Sequence, residues 1–255
     1  MNTEYTGPRI GDAMGLLLRD ANASEATRAK GKHVREFYDG YLSIVDTKDL
    51  FRRPLDWPDE TWWGYERIQG DVLDLSVGAG RFAVPLQDDG LAVAGLDISP
   101  GAVEVAKLRG VTDVTCGDLN EVASIYAPRR FDTVLLLGMG LLLLRSPDKA
   151  GATLRQLHQV TARDAKLIGE GAVPDVDSPR GKQLAANNLR AGLWPGQQRA
   201  RVRYQDVATP WSDLLYASAS DLARLTLHHG WRLAAVKESQ GNTYVAEFHR
   251  MDTGF

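Results

Sequence analysis

Short apolar runs alternate with helical patterns along the chain from residue 71 to residue 173. Five runs have the length and composition of buried strands, at residues 72–75, 91–96, 111–116, 131–137 and 166–173. Helical patterns fill the gaps, at residues 81–88, 99–109 and 146–161. Two of these helices open with a serine–proline pair, which can cap a helix and start its first turn. The alternation predicts a parallel sheet covered by helices on both faces.

The segments on either side of this core follow other patterns. The first 70 residues look helical and irregular, and residues 174–212 are polar, with one predicted helix and a hairpin. The last segment predicts a helix that a capping box opens at Ser218, followed by an antiparallel hairpin. We therefore predict an N-terminal helical cap, a cofactor-binding core, an inserted substrate lid and a C-terminal completion of the sheet, at residues 1–70, 71–173, 174–212 and 213–255.

Composition narrows the classes of function. The 255 residues carry a net charge of −3 without clusters of lysine and arginine, which argues against a nucleic-acid partner. The single Cys116 and the absence of zinc-type spacings argue against a structural zinc or zincin site, and no metal-binding residue is predicted. The longest apolar run, 134–144, is about half the roughly 20 residues of a membrane helix. The first ten residues lack a signal-peptide pattern, so we expect a cytoplasmic protein with no membrane partner. The sequence leaves open whether the protein forms a homodimer.

The loop between the first strand and the first helix of the core carries the main chemical signal. Residues 78–83 run Gly-Ala-Gly-Arg-Phe-Ala, and Asp97 ends the second strand 19 positions after Gly78. Glycines let the backbone approach a nucleotide, the next helix offers free N–H groups, and a carboxylate can accept hydrogen bonds from both ribose hydroxyls. The pattern fits a dinucleotide and S-adenosylmethionine alike, so it predicts an adenosine cofactor without choosing between them.

Four further observations favour S-adenosylmethionine. Asp74 lies inside the strand that enters the loop, where dinucleotide enzymes usually keep apolar residues. A long segment precedes that strand, whereas dinucleotide domains often begin near it. Asp118 follows the third strand, where a carboxylate could meet an adenine amino group. No tyrosine stands four residues before a lysine, so the Tyr-x-x-x-Lys pair of short-chain dehydrogenases is missing.

From Asp71 to Phe131 the chain resembles the class I (Rossmann-like) S-adenosylmethionine-dependent methyltransferases. The shared pattern is Val-Leu-Asp, a glycine loop, an acid, a Gly-Asp pair and Phe-Asp-x-Val. Residues 196–211 more narrowly resemble actinobacterial small-molecule methyltransferases. The resemblance implies a doubly wound α/β fold whose seven-stranded, mostly parallel sheet has an antiparallel last strand. It also implies that the cofactor pocket is lined by Gly78, Gly80, Asp97, Ile98, Asp118, Leu119 and Gly138.

One position departs from the family pattern. Ser76 stands where the family has the first glycine of its loop, and it adds a Cβ where backbone normally faces the cofactor. Ser76 could be a tolerated small residue, could displace the cofactor slightly or could mark a degraded site. We favour the first interpretation because the rest of the pattern is intact, and we count Asp74 and Ser76 among the cofactor-binding residues.

Methyl transfer itself demands few catalytic groups. The methyl group is already activated on a cationic sulfur, so the enzyme mainly aligns the acceptor in line and excludes water. A general base is needed only where the acceptor must lose a proton, so the catalytic residue stays unknown from sequence. His228 and His229 are candidates, although their place near a predicted helix C-terminus explains a histidine on electrostatic grounds alone.

Aromatic residues supply the remaining candidates. Tyr38 and Tyr41, three apart on one predicted helical face, resemble aromatics that close over the cofactor in related enzymes, with core packing as the other explanation. Arg199, Arg201 and Arg203 alternate, so they share one strand face that could meet an anionic substrate or solvent. The predicted cofactor contact is Tyr38, and the predicted substrate contacts are Tyr41, Trp57, Trp194, Tyr204 and Trp211.

The predicted function is therefore methyl transfer from S-adenosylmethionine to a small-molecule acceptor in bacterial secondary metabolism, yielding S-adenosylhomocysteine. Two alternatives stay open at this point. The fold could bind S-adenosylmethionine as a cyclase or scaffold without methylating, or the chain could be an NAD(P)-dependent oxidoreductase.

Overall fold

The computed structural model describes residues 8–252 of the chain. Residues 1–7, part of the segment for which we predict no signal peptide, and residues 253–255 lie outside the described residues. The helices are α1 (Ala13–Ala23), α2 (Glu25–Lys30), α3 (Asp59–Tyr65), α4 (Ala83–Asp88), α5 (Pro100–Leu108), α6 (Val122–Tyr126), α7 (Pro147–Val160), α8 (Pro179–Arg190) and α9 (Ala219–Leu227). The strands are β1 (Arg9–Ile10), β2 (Lys32–Phe37), β3 (Leu42–Asp46), β4 (Val72–Leu75), β5 (Val93–Asp97), β6 (Asp113–Cys116), β7 (Phe131–Leu136), β8 (Thr161–Ala172), β9 (Gln197–Tyr204), β10 (Val207–Ala208), β11 (Ser212–Leu215), β12 (Trp231–Glu238) and β13 (Thr243–Arg250).

A central sheet of seven strands organises the described residues. Its order is β12-β13-β8-β7-β4-β5-β6, and β13 runs antiparallel to both of its neighbours. One face packs against α3, α4 and α5, and the other packs against α6, α7 and α9. The predicted doubly wound, mostly parallel α/β sheet with an antiparallel C-terminal hairpin is confirmed. None of the helices within residues 8–252 is long and apolar enough to cross a membrane.

A second sheet combines strands from two distant parts of the sequence. In the described chain, β9 is its central strand, with β2 on one side and β10 and β11 on the other. β3 extends the sheet beyond β2, and the two-residue β1 pairs with β10. The N-terminal segment and the inserted segment, which we separated on composition, therefore contribute to one structure.

The prediction that Tyr38 and Tyr41 share one face of a helix is wrong. Residues Lys32–Phe37 form β2, and Tyr38 and Tyr41 lie in the turn that leads to β3. His33 and Phe37 are buried on the same face of β2, as the two-residue period of a strand requires. The backbone of β2 forms its hydrogen bonds with β9. That partner lies far away in sequence, so the local pattern could not reveal it.

Helix α1 joins the two sheets through one carboxylate. Asp12 caps α1 by accepting a hydrogen bond from the Gly15 amide at 2.8 Å. It also accepts hydrogen bonds from the Ser99 hydroxyl at 2.7 Å and the Gly101 amide at 3.0 Å, at the start of α5. The two helices cross at glycines, because a Cβ on Gly101 would lie 2.5 Å from the Gly15 Cα. The crossing therefore needs a residue without a side chain at both positions.

We expect Gly101→Ala to lower the free energy of unfolding by roughly 1–3 kcal/mol, because overpacking forces the helices apart. An ordinary helical glycine-to-alanine change would instead stabilise by about 0.5–1 kcal/mol. Urea denaturation measures the difference. Gly241→Ala is the matched control, since its Cβ would meet only the Ser239 Oγ at 3.7 Å. A Gly101→Ala protein as stable as the wild type would contradict the proposed crossing.

Candidate active site

The carboxyl ends of the parallel strands meet at one edge of the central sheet, and the polar residues predicted from the sequence gather there. β4 leads into the glycine loop, β5 ends at Asp97, and β6 is followed by Asp118. Gly138 follows β7, and Glu170 lies near the end of β8. Ligands bind at this edge in open α/β sheets, near the point where the strand order reverses. Here that point lies between β4 and β7.

The glycine loop is fixed by hydrogen bonds to β5. The Ser76 amide donates to the Leu96 carbonyl at 2.7 Å, and the Gly78 amide donates to Asp97 Oδ2 at 2.9 Å. Gly78 and Gly80 have φ values of 56° and 75°. A Cβ on Gly80 would lie 2.7 Å from Val111, whereas a Cβ on Gly78 would meet only the Ser76 carbonyl at 3.9 Å. Gly80 is thus needed for packing, and Gly78 leaves room for a ligand.

Ser76 occupies the left-handed region of the backbone map. Its φ is 65°, and its side chain is exposed. A non-glycine residue pays roughly 1–2 kcal/mol in this conformation, because its Cβ approaches the following carbonyl. This geometry explains why a glycine is the natural residue here, and it makes Ser76 a strained residue at the rim of the site.

Two buried carboxylates support the loop. Asp97 accepts hydrogen bonds from the Gly78 amide and, at 2.9 Å, from the Ser99 amide, yet burial raises its pKa. Asp74 is only 2% exposed, and its Oδ2 has no hydrogen-bond partner within the described chain. Burial, together with the charge of Asp97, raises the pKa of Asp74 to about 7, against the opposing effect of Arg81.

A third carboxylate completes an acidic environment. Glu170 accepts a hydrogen bond from the Gly138 amide at 3.0 Å, and burial raises its pKa. The guanidinium of Arg81 lies beside Gly138 and is itself largely held by the Asp49 carbonyl, at 2.8 Å. Burial thus raises the pKa of three carboxylates at this edge, and Arg81 lowers it for two of them, Asp74 and Glu170.

This balance of charge fits a cationic ligand. S-adenosylmethionine carries a sulfonium and an ammonium group, and either would stabilise the ionised forms of Asp74, Asp97 and Glu170. The pyrophosphate of a dinucleotide would instead destabilise the ionised forms of these carboxylates, because like charges repel. The residues present therefore fit S-adenosylmethionine better than NAD(P).

Comparisons with known proteins agree with this geometry. Residues 72–164 match the family model of a methyltransferase domain. The chain is 27% identical over 186 residues to the demethylmenaquinone methyltransferase of Renibacterium salmoninarum, covering 63% of this chain and 74% of the relative. Residues 72–164 therefore form a methyltransferase domain, and these findings support a class I S-adenosylmethionine-dependent methyltransferase.

Solved structures share its fold. A methyltransferase from Bacteroides fragilis, solved with S-adenosyl-L-homocysteine, has a TM-score of 0.78 at 23% identity, covering 94% of this chain and 95% of that chain. A second structure, described by the conversion of a disulfide bond into a thioacetal group during echinomycin biosynthesis, has a TM-score of 0.51 at 24% identity, covering 80% and 88%. The first match spans both sheets.

The methyltransferase domain and the acidic edge together support S-adenosylmethionine as the cofactor, with S-adenosylhomocysteine as the product. The hydrogen bond from the glycine loop fixes the carboxylate of Asp97 at this edge, and its contact with the ribose hydroxyls stays a prediction. Ile98, which follows Asp97, is 66% exposed and offers an apolar surface. Asp118 Oδ1 holds the Asn120 amide at 2.9 Å, and Oδ2 lies 3.4 Å from Arg145. Leu119 is partly buried next to it.

The structure brings together one aromatic pair from the predicted candidates. The rings of Tyr38 and Trp211 meet edge to face, with centroids 5.3 Å apart, on the second sheet. Tyr41 instead lies under the guanidinium of Arg180, 4.3 Å from its ring centre, where the same arginine pairs with Asp39. Contact of Tyr38 with the cofactor and of Tyr41 and Trp211 with the substrate stays a prediction.

Three predicted substrate contacts have structural roles instead. Trp57 is 6% exposed and packs between Tyr65 and Phe82 in the core. The Trp194 indole donates to the Tyr216 carbonyl at 3.0 Å and packs on the core of the central sheet. Tyr204 donates to Asp20 at 3.0 Å, on the side of β9 that faces α1. Large aromatics fill cores as often as sites, which composition alone does not separate.

The two histidine candidates lie at the wrong edge of the sheet. His228 and His229 follow α9 and precede β12, which runs parallel to β8, so they lie at the amino edge. His229 Nδ1 lies 3.3 Å from Arg155 of α7, and burial lowers its pKa. The direction of β12 therefore disfavours both histidines as catalytic residues, and such a role stays a prediction.

Three residues of the site escaped the sequence analysis. Asp12 bridges α1 and α5, Arg81 lies beside Gly138, and Glu170 binds the Gly138 amide. The signal for Glu170 was present, because a charged residue inside an otherwise apolar strand needs a reason, as Asp74 did. The partner of Asp12 was not visible, because α5 lies nearly 90 residues away.

We expect the affinity for S-adenosylmethionine to increase with pH between about pH 6 and 8, by up to tenfold per unit below the pKa of Asp74. A cation lowers that pKa, so binding releases a proton wherever Asp74 starts protonated. Titration calorimetry in buffers of different ionisation enthalpy measures the release. Asp74→Asn should flatten the profile and abolish its share of the proton release. A flat profile in the wild type would contradict the assignment of a cation to this edge.

We also expect Ser76→Gly to stabilise the protein by about 1 kcal/mol, because relief of the left-handed strain exceeds the entropy cost of glycine. Ser76→Ala is the control: it keeps the Cβ and the strain and should gain nothing. Thermal unfolding compares the two. If Ser76 is merely tolerated, S-adenosylhomocysteine binds both variants within about twofold of the wild type. If the Ser76→Gly protein is no more stable than the Ser76→Ala protein, the backbone at Ser76 is not strained.

Proposed function

We propose that this methyltransferase methylates a small-molecule acceptor in bacterial secondary metabolism, and that the acceptor binds between the second sheet and the carboxyl edge. The observation that carries the proposal is the position of β11. Leu215 is buried with residues of the central core, and the Ala217 amide donates to the Ala172 carbonyl at the end of β8 at 3.1 Å. The second sheet thus stands against the edge that holds the cofactor residues.

A site walled in this way suits a compact acceptor. Small-molecule pockets are concave and enclosed, whereas nucleic-acid surfaces are open and basic. The inserted segment is itself fixed to the N-terminal hairpin, because Arg180 of α8 pairs with Asp39 at 2.8 Å. This ion pair holds the inserted segment and the N-terminal hairpin together beside the proposed acceptor region.

The protein's own part in the reaction is to position groups and exclude water. When bound, S-adenosylmethionine supplies a methyl group on a positively charged sulfur, ready for displacement by a nucleophile. Asp97 holds the ribose, Asp118 offers an oxygen to the adenine amino group, and the buried acids favour the cation over its neutral product. No histidine or cysteine is required by this scheme, and the acceptor's own protonation sets whether a base is needed.

The names of the relatives support a small organic acceptor. The curated relative is named for demethylmenaquinone, and one structural relative is described by a reaction of echinomycin biosynthesis. The acidic edge disfavours the NAD(P) alternative on electrostatic grounds. Product analysis separates methyl transfer from a cyclase or scaffold function.

Heating the purified chain with each cofactor tests the cofactor half of the proposal. S-adenosylhomocysteine at about 100 times its dissociation constant should add about 2.7 kcal/mol of stability. That corresponds to a rise of roughly 5–10 °C in Tm for a chain of this size. NAD(H) should leave Tm unchanged, and Asp97→Ala should remove the effect of S-adenosylhomocysteine. A shift with NAD(H) alone would overturn the proposal.

Mass spectrometry of acceptor mixtures tests the second half. We expect one acceptor to gain a methyl group in step with the formation of S-adenosylhomocysteine. A protein that binds S-adenosylmethionine and converts an acceptor without adding a methyl group would favour the cyclase alternative.

A further inference from the structure

One face of the second sheet carries charged and aromatic residues together. We call these residues the arginine–aromatic wall: Glu36, Tyr38, Arg199, Arg201, Arg203, Trp211 and Asp213. The strand register places Glu36 opposite Arg201 and Asp213 opposite Arg199, and paired residues share a face. Phe37 and Ala200, also paired, are buried on the other face, towards α1.

The wall turns towards the edge that holds the cofactor residues. Asp213 and Leu215 share its face, because side chains alternate along β11. Asp213 lies 3.2 Å from Lys149 at the start of α7, and Leu215 packs with Leu141 and Leu144 of the loop after β7. That loop begins at Gly138, beside Glu170 and Arg81.

Four cations share two carboxylates on this wall and at its contact with α7. Glu36 receives Arg201 at 2.8 Å and Arg203 at 3.5 Å. Asp213 receives Lys149 at 3.2 Å and Arg199 at 3.8 Å. The hydrogen bond from Arg201 holds the pKa of Glu36 below its usual range, so both carboxylates are already committed to partners. Two positive charges are left over.

The arginines divide into two roles. The Arg201 side chain is 13% exposed, bonded to Glu36 and stacked 4.5 Å from the centre of the Trp211 ring, so it holds the wall together. Arg199 and Arg203 are 55% and 30% exposed, and their ion pairs are the two long ones. Planar guanidinium groups with donors to spare bind carboxylate or phosphate groups in two-point contacts.

An apolar surface lies next to these donors. Tyr38 is 70% exposed, its ring meets Trp211, and its amide is fixed by the Arg199 carbonyl at 2.8 Å. The Arg199 guanidinium lies 5.8 Å from the centre of the Tyr38 ring. An exposed aromatic of this kind gains by covering its face with a flat ligand.

We infer that the methyl acceptor carries an anionic group, a carboxylate or a phosphate, that Arg199 and Arg203 bind while its planar part lies against Tyr38 and Trp211. The inference rests on the proposed function, because it names the class of acceptor for the same site. It also explains why this wall keeps a surplus of positive charge in a protein whose net charge is −3.

Matched pairs of probes test the inference on the full chain saturated with S-adenosylhomocysteine. The pairs are 4-hydroxybenzoate with 4-hydroxybenzamide, and phenyl phosphate with phenol. We expect at least one anion to raise Tm more than its neutral partner, and the pair that does so separates carboxylate from phosphate recognition. Arg199→Gln and Arg203→Gln should each weaken binding of that anion about tenfold or more. Arg232→Gln, an exposed arginine of β12, is the matched control and should change nothing.

The outcomes separate this inference from the proposed function. Any of three results would overturn the inference. The neutral probes could bind as well as their anionic partners, no probe could raise Tm, or anion binding could persist in both arginine variants. If S-adenosylhomocysteine binds and a neutral acceptor is methylated, methyl transfer stands and the anionic class falls. If anion binding depends on Arg199 or Arg203 but no acceptor gains a methyl group, the anion-binding role of the wall is supported and the proposed function is contradicted. The affinity for S-adenosylhomocysteine should be unchanged in every arginine variant, which excludes a general loss of folding.

Discussion

A relay of hydrogen bonds from the glycine loop to the N-terminal helix holds the cofactor edge and the second sheet in one arrangement. The Gly78 amide donates to Asp97, the Ser99 amide donates to the other oxygen of Asp97, and the Ser99 hydroxyl donates to Asp12. Asp12 in turn caps α1, which packs against β9. Loss of any one of these contacts would leave a buried donor or acceptor unpaired, which costs about 1–3 kcal/mol.

The buried acids at the carboxyl edge lower the stability of the protein, and binding of a cationic ligand would offset this loss. Asp74, Asp97 and Glu170 all have raised pKa values because burial disfavours their charged forms. A folded protein keeps such groups where they serve a function, since apolar residues would pack there more favourably. A cofactor that loses its sulfonium charge on transfer matches this environment, because the acids favour the substrate form over the product form.

Some residues of the site are positioned by interactions that are local in the sequence, and others by contacts between distant parts of the chain. Asp74, Gly78 and Asp97 lie at one edge because strand ends of a parallel sheet must meet there, and their contact with the cofactor stays a prediction. Trp57 and Trp194 are predicted substrate contacts because an aromatic residue looks the same in sequence whether it packs or binds. In the structure Trp57 is buried in the core, and the half-buried Trp194 packs against the core of the central sheet. His228 and His229 lie at the opposite edge, which depends on the direction of β12 in the finished sheet.

The sequence by itself determined the central sheet, the helices α4, α5, α7 and α9 and the position of the glycine loop, since periodicity, serine caps and glycine patterns act over a few residues. Ser99 and Ser218 cap α5 and α9 as their local patterns predict. Only the tertiary structure decided the second sheet and its wall. Glu36 and Arg201 are 165 positions apart, and β2 becomes a strand because β9 satisfies its backbone. Pairing over that distance depends on the packing of the whole chain, which no local pattern records.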